Sequence, residues 1–455
     1  MNDAHAAQLK REIFAKVRDY YTLVHQPKRF IPFETKIPYA GRFFGPEEMV
    51  ALSDAALDFW LTLGPYGEQL ERALKQFFDA RDAVLVNSGS SANLLAIAAL
   101  CSPNLEGHLT PGDEVVTPAV TFPTTLAPMV QHQLVPVFVD AEVGTYNINP
   151  ARVAEAISPR THAIVVPHTL GNPCDLEALV ALSRQHELWL IEDCCDALGG
   201  AFDGRRVGTF GDLATLSFYP AHHITMGEGG ALVVNRQRFM RIARSIRDWG
   251  RDCWCAPGVS NTCGKRFDWQ LGGLPFGYDH KYIYSHVGYH LKPTDLQAAV
   301  GCAQFAKIEP FVAARRRNFM RLRQGLAPLE EFLIFPRVHE KADPAWFGFP
   351  ITVREGVNRG ELIRWLEEAK IETRMIFAGN ILRQPAFRGI PHRIHGGLEE
   401  TDRVMTHAFF IGVYPGLTDE MIDFVVERFL RFFQSRSRAS MDPRHASLIV
   451  TGGDS

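Results

Sequence analysis

Between residues 80 and 235 the chain alternates short, unbroken apolar runs with stretches of helical period. Residues 83–87, 114–117, 135–140, 163–167 and 188–193 each read as a strand. Such runs are apolar on both sides of the chain rather than on alternate residues, which suits a sheet buried on both faces. Several end in polar residues, where an open α/β sheet places its ligands. Ser88-Gly89-Ser90-Ser91-Ala92-Asn93 closes the first strand and opens an Ala- and Leu-rich helix. Upstream, a helix over residues 5–24 precedes an extended arm rich in Pro and aromatics. Downstream, one long helix is expected to start after Lys292-Pro293-Thr294 and to run through Gln297, Gln304 and the basic Arg315-Arg316-Arg317. A second α/β region follows from about 335 to 434. The Ser-, Arg-, Gly- and Asp-rich stretch 435–455 is expected to be disordered.

A chain of 455 residues exceeds one ordinary core. The expected organisation is an N-terminal helix and arm (1–40), a large domain (41–310) with a cysteine-rich insertion near 250–285, a small domain (311–434) and the tail. The formal net charge of −3 argues against a general nucleic-acid binder. No apolar run approaches a membrane span, and the first 20 residues lack a signal-peptide core, so a cytoplasmic location without membrane contact is expected. The eight cysteines of a large cytosolic chain do not suggest a disulfide framework.

Candidate chemistry gathers in three places. Small residues at the helix start 88–93 would let backbone N–H groups approach a phosphate, although such a start taken alone is more often plain helix capping. Asp193 ends a strand that reads as buried, and a buried carboxylate needs a cationic partner or a capping role. Phe122, in Thr121-Phe122-Pro123, suits stacking on a ring or packing in a core. Cys195, Cys253, Cys255 and Cys263 are spaced C-x57-C-x-C-x7-C. Four thiolates hold tetrahedral zinc or an iron–sulfur cluster, and spacing alone puts zinc first and free thiols third.

The order of these features, from the Gly/Ser cup through Phe122 and Glu192-Asp193 to Ser217 and His222, resembles the DegT/DnrJ/EryC1/StrS family of sugar aminotransferases. Leu63-Gly64-Pro65, Thr294-Asp295-Leu296-Gln297-Ala298-Ala299 and Ile371-Glu372-Thr373-Arg374 extend the resemblance, which spans residues 33–433. It implies an α/β architecture of the fold type I (aspartate aminotransferase-like) class, a mostly parallel sheet in the large domain, and a homodimer. It implies pyridoxal or pyridoxamine phosphate as cofactor. Asp193 would pair with the pyridine nitrogen, Gly89, Ser90 and Ser217 would hold the phosphate, and Phe122 would cover the ring. Asp196 would sit at the cofactor too, where the family usually has Gln or His.

One departure decides the subgroup. In Ser217-Phe218-Tyr219-Pro220-Ala221-His222-His223-Ile224-Thr225-Met226 the family's Schiff-base lysine is replaced by His222, and no lysine lies between Lys75 and Lys265. This segment resembles the nucleotide-linked 4-keto-6-deoxyhexose 3-dehydrases, which use pyridoxamine phosphate to remove the C3 hydroxyl. With the four cysteines, the chain resembles the subgroup that carries a [2Fe-2S] cluster, on Cys195, Cys253, Cys255 and Cys263. The resemblance implies His222 as the base at C4′, with Tyr219 near the leaving hydroxyl. It implies a CDP- or dTDP-linked sugar substrate and an NAD(P)H-dependent flavin or iron–sulfur reductase as electron donor. His223 competes with His222 as base, but out of the lysine's register. Arg374 and the Arg315–Arg317 run are candidates for nucleotide phosphates, the run reading more simply as a solvated helix face. Alternatives are an aminotransferase using Lys292, a redox-neutral dehydratase with structural zinc, and a non-catalytic protein on this fold.

Overall fold

The computed structural model describes residues 2–26, 28–256 and 258–440. The expected strands all form, and they lie in one eight-stranded sheet. Its order is Asp82–Val86, Gly230–Val234, Leu213–Ser217, Trp189–Asp193, Thr161–Pro167, Glu114–Pro118, Val135–Val139 and Arg393–Ile394. Gly230–Val234 runs antiparallel to both neighbours, and the other pairings are parallel. Apolar side chains of Val84, Val86, Ile191 and Leu232 pack on one face against the helices Gly89–Leu100 and Arg238–Arg247. Leu85, Ala231 and Val233 pack on the other against Leu70, Leu74 and Ala298. Burial on both faces explains why these strands show no polar alternation.

A second, four-stranded antiparallel sheet is ordered Leu333–Ile334, Gly348–Val353, Ala408–Gly412 and Thr373–Arg374. Phe349, Ile351, Phe409 and Ile411 form a separate core with Leu322, Leu326, Leu362 and Phe429 of the covering helices. The N-terminal arm docks on it, Ile37 N–H donating to Lys370 O and Ile37 O accepting from Glu372 N–H. Among the described residues no helix is long and apolar enough to cross a membrane.

Three expectations change. The long helix is two helices, Asp295–Phe305 and Ile308–Leu326. Pro310 has no N–H, and its ring would collide with the carbonyl of Ala306, so the first helix cannot continue through it. The final helix, Asp419–Ser440, runs past residue 435, where the disordered tail was expected to begin; 441–455 lie outside the described residues. Arg393–Ile394, from the stretch assigned to the small domain, adds the edge strand of the large sheet beside Val137 and Phe138.

That edge strand is held by charge. Arg393 donates two hydrogen bonds to the fully buried Glu114 carboxylate, at 3.0 and 2.6 Å, and Arg160, Ser158 and Thr161 also donate to it. Burial opposes ionisation, yet Arg393 and Ser158 outweigh it and hold the Glu114 carboxyl at about 2. A depressed carboxyl contributes stability above its unfolded value, lost as pH falls toward the folded one. Glu114→Gln should cost about 3 kcal/mol at neutral pH. It should also flatten the fall in stability between roughly pH 4.5 and 2. Urea melts across that range check both.

Candidate active site

The carboxyl ends of the parallel strands open onto a cleft of about 490 Å³. Asp193 ends one strand, Ser217 ends the next, and Ser88 and Gly89 follow a third. Tyr39, Phe122, His168, Cys195, Asp196, Tyr219, His222, Phe347 and Arg374 complete much of the wall. No lysine lines it. Lys292 is buried elsewhere, 3.8 Å from Asp248 and over the Trp249 ring, so nothing places it for a Schiff base.

Asp193 is 5% exposed and is the acceptor for four donors. Asn93 Nδ2 and Thr125 Oγ1 reach Oδ2 at 3.0 and 2.6 Å, while Thr215 Oγ1 and the Cys195 N–H reach Oδ1 at 3.2 Å each. No cationic side chain among the described residues pairs with it. A buried carboxylate held by neutral donors and open to a cleft fits a protonated pyridine nitrogen, which would supply the missing charge. The neighbouring Glu192 is spent on structure. It accepts the N–H groups of Gly208, Phe210 and Gly211, and Nε2–H of His168. His168 Nδ1 in turn accepts from Cys174 N–H, so the buried trio of His168, Glu192 and Cys194 has no free nitrogen for a metal.

The cup forms at the N-terminus of Gly89–Leu100, where Ser88 Oγ accepts from Ser91 N–H at 3.1 Å. Ser90 Oγ donates to Thr124 Oγ1 at 2.9 Å. Gly89 is forced by proximity: a Cβ there would stand 2.5 Å from Ser217 Cβ and 3.2 Å from Cys195 Sγ. The backbone N–H groups and hydroxyls of this corner suit an anion. Phe122, about half exposed, presents an open ring face beside Phe377.

His222 enters from the loop after Leu213–Ser217. Its Nδ1 stands 3.3 Å from Asp196 Oδ1, and its ring lies 5.2 Å from that of Phe347, tilted by 48°. His222 Nδ1 and Asp196 Oδ2 are both buried without a hydrogen-bond partner, so the approach is a charge-range contact and not a formed hydrogen bond. With a proton on Nδ1 facing Asp196, Nε2 is the free base, the arrangement in which a carboxylate orients a catalytic imidazole. His223 is excluded by burial, which pushes its pKa well down with help from Arg315, and by a 2.9 Å hydrogen bond to Ala345 O. Tyr219 is half exposed at the cleft. Arg374 lies at the rim, stacked over Tyr39 and bonded to Thr373 O.

The cysteines are not all brought together. Cys253 and Cys255 are in mutual hydrogen-bond reach. Burial opposes it, but contacts from Thr262 and Cys253 draw the Cys255 thiol below its usual range. The Lys265 N–H and His280 do the same for Cys263, which sits 3.7 Å from His280 Nδ1. Cys195 stands apart at the cleft floor, its thiol pushed well up by burial and by Asp193. Among the described residues no three of these sulfurs lie within 4.8 Å of one another. Tetrahedral zinc, with Zn–S near 2.3 Å, would need all four within about 4 Å. Trp254 packs edge-on against His280, as does Trp269 at a tilt, shielding this loop.

Sequence reasoning missed Thr125, Thr215 and Phe347. Thr215 reads as an ordinary β-former in its strand, Thr125 as an unremarkable residue of a short helix, and a Phe ahead of a strand as core. It also misread Arg315, which is neither solvated nor near the cleft's rim but 1% exposed.

The chain is similar to known proteins over most of its length. Residues 44–430 match the model of the DegT/DnrJ/EryC1/StrS aminotransferase family. The lipopolysaccharide biosynthesis protein RfbH of Salmonella typhimurium is 51% identical, covering 94% of this chain and 99% of its own. The dTDP-4-dehydro-2,6-dideoxy-D-glucose 3-dehydratase of Saccharopolyspora spinosa is also 51% identical, covering 94% and 93%. Among solved structures, E. coli GDP-4-keto-6-deoxy-D-mannose-3-dehydratase with bound hydrated PLP superposes with a TM-score of 0.78 at 28% identity, covering 86% of this chain and 98% of that one.

Gly89→Ala is expected to overpack the cup against Ser217, lowering stability by about 1–3 kcal/mol. It should also weaken pyridoxamine phosphate binding by at least about tenfold, because the cup is distorted where the phosphate would rest. Thermal melts and a spectrophotometric titration with the cofactor measure the two effects.

Proposed function

The chain belongs to the DegT/DnrJ/EryC1/StrS aminotransferase family, and from that premise we propose that it is a pyridoxamine phosphate-dependent, iron–sulfur 3-dehydrase. Its substrate would be a CDP- or dTDP-linked 4-keto-6-deoxyhexose. The observation that carries this reading is His222, its Nδ1 3.3 Å from Asp196, on the cleft wall in a pocket without lysine. A relative named as a sugar 3-dehydratase, 51% identical over nearly the whole chain, supports the reaction class.

The pyridoxamine amine supplies attachment to the C4 ketone and an electron sink in its ring. Asp193, fixed by its four donors, keeps the ring nitrogen protonated. Gly89, Ser90 and Ser217 hold the phosphate, and Phe122 covers the ring. Without a covalent anchor, these contacts alone set the cofactor's position. His222 Nε2 takes the proton from C4′, and Asp196 stabilises the imidazolium that results. Phe347 on one side limits water at the imidazole. Tyr219 lies within the same cleft, suited to the departing C3 hydroxyl, and Arg374 at the rim suits a substrate phosphate.

In the net reaction the C3–O bond breaks, water leaves, and C3 gains hydrogen. The two electrons come from NAD(P)H through a flavin or iron–sulfur reductase. Cys195, Cys253, Cys255 and Cys263 would hold a [2Fe-2S] cluster, and when bound that group would supply one-electron transfer. The close Cys253–Cys255 pair and the low Cys255 and Cys263 thiols suit metal ligation. The expected assembly is a homodimer.

Electron paramagnetic resonance on anaerobically purified protein tests the redox half. A signal that appears on dithionite reduction and is lost in Cys253→Ser is expected. Silence in protein with full pyridoxamine phosphate and tightly bound zinc would instead identify a redox-neutral dehydratase.

A further inference from the structure

Arg315 carries no role in the reading above, which this inference extends. It projects from the middle of the helix Ile308–Leu326 into a site where it is 1% exposed. No carboxylate forms an ion pair with it among the described residues. Its guanidinium instead donates to three backbone carbonyls: Nη2 to His222 O at 3.0 Å, and Nη1 to Trp346 O and Phe347 O at 3.2 Å each. Burial lowers its pKa to about 10, and Asp196 opposes that, so it stays charged at neutral pH. A buried cation whose Nη groups go to carbonyls and whose Nε has no partner is expensive, and hydrogen bonds from a charged donor are the strong kind.

The carbonyls it joins belong to the two segments that frame the imidazole. One is His222 itself; the other ends in Phe347, whose ring packs on the His222 ring. The next residue repeats the staple, His223 donating to Ala345 O at 2.9 Å. The His222 loop leaves the large sheet, whereas residues 345–347 lead into Gly348–Val353 of the small one. A Schiff-base lysine is held in place by its bond to the cofactor. A histidine base has no such bond, so its position must come from the protein.

We infer that Arg315 is the positioning residue for His222, clamping its backbone to Trp346 and Phe347 so that the imidazole stays between Phe347 and Asp196. The planar fork matters as well as the charge, because one ammonium cannot span three carbonyls in this geometry.

The test compares full-length wild type, Arg315→Lys and Arg315→Met. Arg315→Lys keeps the charge and guards against a variant that merely unfolds. Nitrogen-15 spectra of histidine-labelled protein, with the His222 signal assigned by its loss in His222→Asn, report the ring's tautomer without any turnover. Wild type should show one tautomer, protonated at Nδ1. Arg315→Lys should show averaged or broadened His222 resonances. Its kcat on the keto sugar should fall by about a hundredfold. KM and cofactor affinity should stay within about threefold, a split that general destabilisation would not give. Wild-type His222 resonances together with kcat within about twofold in Arg315→Lys would overturn the clamp. If wild type converts no nucleotide sugar, the reaction proposed above falls, and the His222 resonances still decide the role of Arg315.

Discussion

Asp193 is a carboxylate buried where a parallel strand ends, and the surrounding structure is arranged to keep it there. Asn93 reaches it from the helix Gly89–Leu100, Thr125 from the helix Pro123–Gln131, Thr215 from the neighbouring strand, and the Cys195 N–H from the turn that follows. Thr215 shares its single hydroxyl hydrogen between Asn93 Oδ1 and Asp193 Oδ1, at 2.9 and 3.2 Å, closing the network. Four neutral donors satisfy its lone pairs without neutralising its charge. The remaining negative potential faces a cleft whose far corner is a helix N-terminus lined by glycine and serine. A ring cation with an anionic phosphate arm matches both ends at once.

In the proposed reaction a cleft without lysine shifts work from a covalent bond to packing. A lysine Schiff base fixes the cofactor and the base in one step; here each needs its own support. In the proposed reaction the cup and Asp193 would serve the cofactor; Asp196, Phe347 and the carbonyls bonded by Arg315 surround His222. The Arg315 bonds join segments that lead from both sheets, so His222 sits at their junction. The cysteine loop lies outside this frame. Its thiols sit among aromatic rings and Arg side chains, Arg241 stacking over Trp254.

Much of the sheet was legible because its strands are unbroken apolar runs, a pattern that needs no long-range knowledge to read. The cleft residues at strand ends, Asp193, Gly89, Ser90 and Ser217, were legible from their order along the chain, and the structure gathers them with His222 and Asp196 in one cleft. Pairing across long separations was not. Arg315 bonds a carbonyl 93 residues away, and in sequence a run of three arginines looks like a solvated face. Thr125 and Thr215 carry no local signature, since their partner is fixed only once the sheet closes. The break at Pro310 was readable in principle, but the apolar period on both sides of it suggested one helix. Arg393–Ile394 is too short to announce itself as a strand and owes its place to Glu114.

The central claim is that a histidine takes the proton at C4′ in this cleft. Hydrogen exchange at C4′ of pyridoxamine phosphate, measured with the nucleotide-linked keto sugar in deuterated water, tests it most directly. Wild type should exchange. His222→Asn should lose exchange by at least about a hundredfold while still binding the cofactor. Exchange at the wild-type rate in His222→Asn would contradict the account.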